Sequence, residues 1–367
     1  MVQVTLNGTD AIWRGPCLFD GDDKAIRGLF FENRHTSQPL QIIEGVDFQD
    51  FYMTTAATCS AATIFGGSKL SRIANCTITN VRRASGLSGG VCQAAVISYA
   101  DATYNPARIE IDNVKVDTVT ALDAGTVEDM DGIVAFQLAG EGVSCRVFNS
   151  TLVDTLGRGI KVFAPDAIVD GVTLNLSAAS KRAGWSGVAM QYGDGTVRNV
   201  NAKFDVDHTS DSATIVQFYT DTTSLDRANR TVSHISVEDN STTSNALASV
   251  VDLSVGNTLS AADDDYDSDI SGIIVKGREV HHILTVNNNG VATNRANITL
   301  TNVNAEIDTA IMGCDSTLPN LRCEMRAVRN SGSEIPAILR TSGTLGNAYG
   351  QILGTGNCSG IARNLTG

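Results

Sequence analysis

One six-residue pattern recurs ten times along the chain. It consists of an aliphatic residue, any residue, then Asn, Gly or His, a small or apolar residue, any residue, and another apolar residue. Ile73-Ala74-Asn75-Cys76-Thr77-Ile78 and Ile111-Asp112-Asn113-Val114-Lys115-Val116 are two copies. The third position holds Gly28, Gly45, Asn75, Asn113, Asn149, Gly171, Asn199, His234, Gly272 and Asn302. These residue types most readily accept a positive φ. An unbroken strand would keep its apolar residues on one parity. Here they lie two before the third position and one and three after it, so the parity slips by one. A single left-handed residue between two strands does this. It bends the chain while both strands keep apolar side chains on one side.

The copies lie 17, 30, 38, 36, 22, 28, 35, 38 and 30 residues apart. A constant corner with variable spacing fits a solenoid whose outward loops differ from rung to rung. Further strands are predicted between corners, among them 132–138, 159–164 and 187–192. The 17-residue first interval is short for a full rung and allots Gly28 to a cap. Residues 26–310 are therefore read as the solenoid. Residues 1–25, with Trp13, Pro16 and Phe19, are read as an N-terminal cap, and 311–367 as a C-terminal cap or oligomerisation segment.

This corner pattern resembles the right-handed parallel β-helix of the pectate-lyase-like superfamily, over roughly residues 20–310. The resemblance implies an all-β fold: a single-stranded right-handed parallel β-helix of about ten rungs. It is architectural, and no catalytic signature of that family accompanies it.

Charge and hydropathy narrow the function classes. The formal charge is −13, which leaves few cations to neutralise phosphates and argues against nucleic acid or an anionic membrane surface. No apolar stretch approaches the roughly 18 residues that a membrane-spanning helix needs. The N-terminal Met1-Val2-Gln3-Val4-Thr5-Leu6 has no basic region followed by an apolar core. The expectation is a mature form, or release by lysis.

Eight cysteines are present without zinc spacing, so neither a metal nor another cofactor is expected. Cys314 and Cys323 flank a Pro-containing loop and are the best disulfide candidates. Asp265, Asp267 and Asp269 have calcium-loop spacing. Ile270 stands where an EF-hand needs Gly, and Lys276 where it needs Glu, so a solvated acidic loop is expected. Nine Asn-x-Ser/Thr sequons occur. Two of them, at the corners Asn75 and Asn149, are expected to point inward.

The candidate catalytic residues are carboxylates. Glu128 and Asp131 precede a predicted strand, and stacking successive rungs on Gly132, Gly159 and Gly187 places Asp131 beside Arg158. Asp194 lies in a following turn. Paired carboxylates can serve as acid and nucleophile or base in glycoside cleavage. Arg158, Lys161, Trp185 and Tyr192 are the candidate substrate-binding residues. The competing reading is an Asp–Arg pair between rungs with no catalysis. Phe136, Phe163, Gln191 and Phe218 are expected in one column inside the solenoid.

Proteins that this chain resembles suggest three functions. The first is a bacteriophage tailspike, fibre or virion-surface protein, a homotrimer bound to other virion proteins and contacting host polysaccharide, with or without cleaving it. The second is a secreted polysaccharide lyase or glycoside hydrolase. The third is a structural or adhesive solenoid without catalysis. All three put the protein on a virion or outside cells.

Overall fold

The computed structural model describes residues 2–353 apart from 7, 25, 36–38, 55–57, 85–90, 100–106, 122–129, 138–143, 177–184, 192–193, 206–212, 221–226, 242–246, 256–264, 288–294, 315–317 and 341–344. No described residue lies in a helix. The chain divides into two compact units, Met1–Val188 and Ala189–Gly367.

In the first unit the chain alternates between two parallel sheets. One runs in the order Val2–Leu6, Arg27–Asn33, Thr58–Gly66, Val91–Tyr99, Met130–Gln137 and Arg158–Phe163. Every pairing in it is parallel. The segments between these strands form the second sheet. There Leu40–Met53 pairs first with Leu70–Ala74 and, past its corner, with Thr77–Arg83. The second unit repeats the scheme. Thr214–Thr220, Leu247–Val255, Val280–Asn287 and Ile307–Cys314 pair in one sheet. Gly195–Phe204, Arg227–Asp239, Asp265–Lys276, Arg295–Ala305 and Leu318–Asn330 pair in the other. Long all-parallel sheets joined by alternation are consistent with a parallel β-solenoid.

The corner residues carry the left-handed conformation that the parity slip requires. Asn75, Asn113, Asn149, Asn199, His234 and Asn302 have φ between 51 and 57°. Gly45, Gly171 and Gly272 have φ of 66, 69 and 67°. Within the first unit register stacks them: Lys115 faces Thr77 on one side and Thr151 on the other. Backbone bonds continue across the bend, from Asn75 N to Asp112 O (3.0 Å) and from Asn113 N to Phe148 O (3.1 Å). Apolar residues on both sides of the corner are buried, among them Ile73, Ile111 and Val147 before it and Cys76, Val114 and Val172 after it.

Four expectations need correction. Gly28 is not a corner. It lies in Arg27–Asn33, and a Cβ there would stand 3.0 Å from Phe48 and Phe51 side-chain atoms. The first-rung counterpart of Gly45 is instead Gly15, between the register pairs Arg14–Glu44 and Cys17–Val46. The asparagine side chains at Asn75 and Asn149 point outward and are exposed. Asn113 Nδ2 donates to Asn75 Oδ1 at 2.8 Å and Asn149 Nδ2 to Asp112 Oδ1 at 3.2 Å, because the inward side of the corner is filled by the apolar flanks. Asp267 and Asp269 sit in the strand Asp265–Lys276 rather than in a loop, and Asn297 Nδ2 bonds Asp267 Oδ1 at 2.6 Å. Phe136 and Phe163 do stack, with centroids 4.6 Å apart and planes at 13°. They lie on the outward parity, opposite to the buried Ile133 and Ala135. Phe218 lies in the second unit, in Thr214–Thr220.

A second left-handed column was not anticipated. Asp50, Asn80, Thr118 and Asp154 have φ of 57, 63, 70 and 51°. Each lies five residues after a corner. The apolar parity slips again there, from Phe48 to Phe51, Ile78 to Val81 and Val116 to Val119, all buried. Parallel pairing also runs beyond residue 310: Ala327 (φ 51°) follows Arg326, which faces Thr301.

Candidate functional site

Three of the candidate residues, Asp131, Arg158 and Lys161, lie on the outward face of the first sheet in the first unit. Register puts Arg27 beside Ser60, Ser60 beside Gln93, and Gln93 beside Asp131. Arg158 follows on the next strand, because Ile133 pairs with Ile160. A parallel column for Phe30, Thr63, Val96, Val134 and Lys161 runs beside it.

Asp131 was expected in an exposed turn. It opens the strand Met130–Gln137 and is wholly buried. Its Oδ1 accepts from Arg158 Nε at 2.9 Å and from the Arg158 backbone N at 3.2 Å. Its Oδ2 is buried and has no hydrogen-bond partner among the described residues. The pairing between rungs is thus present, and this carboxylate is not open to solvent. Burial comes from the surroundings: outward neighbours such as Val96, Val134 and Phe163 are buried as well. Sequence periodicity records which way a side chain points, not what covers it.

The remaining candidates separate. Lys161 is half-buried in the column next to Arg158. Trp185 is buried and its Nε1 donates to Thr155 O at 3.1 Å, so its indole is anchored rather than presented as an open platform. Asp194 belongs to the second unit and is also buried, although the stacking argument required it to be exposed. Glu128 and Tyr192 lie outside the described residues.

At the N-terminal end of the same face lies a groove of about 440 Å³ that the sequence reading missed. Phe30 and Phe65 stack along it, with centroids 6.3 Å apart and planes at 25°. The Arg27 guanidinium stands 5.1 Å from the Phe30 centroid, and that of Arg34 stands 6.0 Å from Phe65. Glu32 holds Arg34 by a 2.6 Å ion pair. Ser60 and Thr63 share a 2.6 Å hydrogen bond on the floor, beside Gln93. The signal was present in Arg27-x-x-Phe30-x-Glu32-x-Arg34. Treating Gly28 as a corner made Leu29 and Phe31 the informative residues and hid the outward set. The groove offers ring faces for apolar surface and hydroxyl, amide and guanidinium groups for polar surface. A pocket of this size with few convergent polar groups is the usual form of a small-ligand site.

The first sheet of the second unit carries a different polar cluster. Asp252 accepts from Thr285 Oγ1 (2.7 Å), Gln217 Nε2 (3.1 Å) and Ser254 Oγ (2.5 Å). Three donors saturate this carboxylate, which reads as sheet cross-linking. His282 faces Ala248 O through Nδ1 at 3.3 Å, and its buried Nε2 has no hydrogen-bond partner among the described residues. Burial holds its pKa below the ordinary histidine value; the neighbouring His281 pushes the same way, and Asp308 and the Ala248 carbonyl oppose.

Cys314 and Cys323 are both buried, on strands of different sheets, and are not joined to each other by a disulfide. Burial pushes the Cys323 thiol up to about 12. Among the described residues no group of three or more His, Cys, Asp or Glu side chains is placed to hold a metal ion.

Comparison with protein-family models, with curated proteins and with solved structures gives no match.

Proposed function

We propose that this chain is a right-handed, single-stranded parallel β-helix of a bacteriophage virion, a tailspike, fibre or surface decoration that grips host polysaccharide. The observation that carries the reading is the groove of the first unit. Its stacked Phe30 and Phe65 present flat apolar faces suited to the C–H faces of sugar rings. Arg27, Arg34, Ser60 and Gln93 supply the donors and acceptors that orient sugar hydroxyls. The reading is binding rather than cleavage, because Asp131 is buried against Arg158 and is not exposed to a glycosidic oxygen. Association of three copies belongs to the same reading. It is supported by the exposed Ile12 and Leu18 on the strand Ala11–Asp20.

The test is a panel of capsular and lipopolysaccharide glycans presented to the purified protein, with calorimetric binding and product analysis on each. The expected result is saturable binding to one glycan class without new reducing ends or unsaturated products. Phe65→Ala and Arg27→Ala should each weaken binding about tenfold, the equivalent of roughly 1.4 kcal/mol. Reducing ends would favour the hydrolase, and unsaturated products the lyase. No binding anywhere in the panel would leave the purely structural solenoid.

A further inference from the structure

Seven cysteines are described, and one pair of them stands apart. Cys59 lies in Thr58–Gly66 and Cys92 in Val91–Tyr99, and the two are register partners on adjacent parallel strands. Both are fully buried. Cys92 Sγ lies 3.8 Å from Arg82 O. Cys145 pairs in register with Ile109, Cys314 with Val286 and Arg340, and Cys323 with Ile298 and Gly350. Adjacent strands sit about 4.8 Å apart, inside the Cα separation of roughly 4.4–6.8 Å that disulfides span.

We infer that Cys59 and Cys92 close into a disulfide when the protein meets a low-molecular-weight disulfide such as oxidised glutathione. One cysteine thiolate attacks the glutathione disulfide and releases one glutathione thiolate. The second cysteine attacks the mixed disulfide and releases the other. Two cysteine S–H bonds are lost and one S–S bond forms, and the two protons and two electrons end on two molecules of reduced glutathione. The link joins positions 33 residues apart in sequence, so it removes freedom mainly from the unfolded chain. It also ties together the two adjacent strands that supply Ser60, Thr63 and Phe65, and Gln93, Val96 and Ser98, to the groove lining. The crosslink does not depend on what the groove binds. Hydrogen bonding to Cys59 and burial push the Cys92 thiol well above its ordinary pKa. A Cys92 thiolate is therefore scarce in the folded chain, and both thiols are buried from the oxidant, so closure is slow unless the chain opens or is still folding.

The test incubates the full-length protein in glutathione buffers from fully reduced to fully oxidised. The samples are acid-quenched, unfolded and alkylated. In oxidised buffer two cysteines should escape alkylation, and a protease digest should yield one peptide pair joining Cys59 to Cys92. The oxidised protein should melt at a higher temperature than the reduced one. Cys92→Ser should abolish both the crosslink and the shift, and Cys145→Ser should leave both. Full alkylation after oxidising incubation, a retained glutathione adduct on either residue, or a crosslink through other cysteines overturns the inference. The alkylation count on the unsubstituted chain decides it even if a serine variant fails to fold.

Discussion

Replacing Asp131 separates the two roles a carboxylate can have on this face. In Asp131→Ala the Arg158 guanidinium loses its 2.9 Å partner, and the Arg158 backbone amide loses an acceptor at 3.2 Å. The Asp131 side chain is 0 % exposed and that of Arg158 is 19 % exposed. Removing one member of a buried pair costs about 3–5 kcal/mol, because the remaining charge loses its closest compensating group. Arg158 keeps some contact with water, which puts the expected loss near the lower end, about 3 kcal/mol. Asp131→Asn keeps the volume and an acceptor oxygen but removes the charge, and should lose about 1–2 kcal/mol. The assay is urea unfolding, read as a lower midpoint at unchanged slope. A double variant, Asp131→Ala with Arg158→Met, should recover part of the loss because the cation is removed together with its carboxylate. If Asp131→Ala and Asp131→Asn both stay within about 0.5 kcal/mol of the parent, the structural reasoning is wrong. If glycan cleavage then disappears as well, the residue is catalytic.

Asn113→Gly should be near neutral and Asn113→Val should cost about 2 kcal/mol in the same assay, because a β-branched side chain is strained at the φ of 51°. Val114→Asp or Leu152→Asp should cost several kcal/mol, since both positions are about 1 % exposed and the new carboxyl has no counter-ion; unchanged thermal unfolding in both would refute the inward register. His282 should make stability pH-dependent. Its folded pKa is lowered, so the unfolded chain takes up the proton first; stability is full above the ordinary value of 6.5 and falls as pH drops below it. His282→Gln should flatten that decline, and an identical slope in the variant would remove His282 as its source. Light scattering should give about three times 38.7 kDa, whereas a monomer mass would argue against the virion trimer.

The fold was legible where the backbone constrains residue type. A left-handed residue costs energy unless it is Gly, Asn or Asp, so nine of the ten proposed corners could be read from side-chain identity alone and carry positive φ. The second column was harder to see. Asp50, Asn80, Thr118 and Asp154 include a threonine and lie among polar residues, and the slip from Phe48 to Phe51 shows only when two corners are sought in one rung. Gly28 misled because glycine has two uses in this fold. At Gly45 it supplies a φ of 66°. At Gly28 it supplies absence of a Cβ, where Ala61 O would stand 2.3 Å away.

The site was less legible for a related reason. In a solenoid the outward face is polar or apolar according to what lies over it, and loops of variable length leave no periodic trace of that cover. Asp131 reads as an exposed turn carboxylate by position and is buried in fact. Phe30, Glu32 and Arg34 read as ordinary alternation and form a groove only because Phe65 arrives one rung later at the register of Glu32. The Cys59–Cys92 pair depends on the same rule. The two lie 33 residues apart with no motif around either, and only the rung register sets them side by side. Stacking thus converts residues that are unremarkable in sequence into neighbours about 4.8 Å apart. Function in this chain is therefore to be sought down the columns of its sheets, not along its strands.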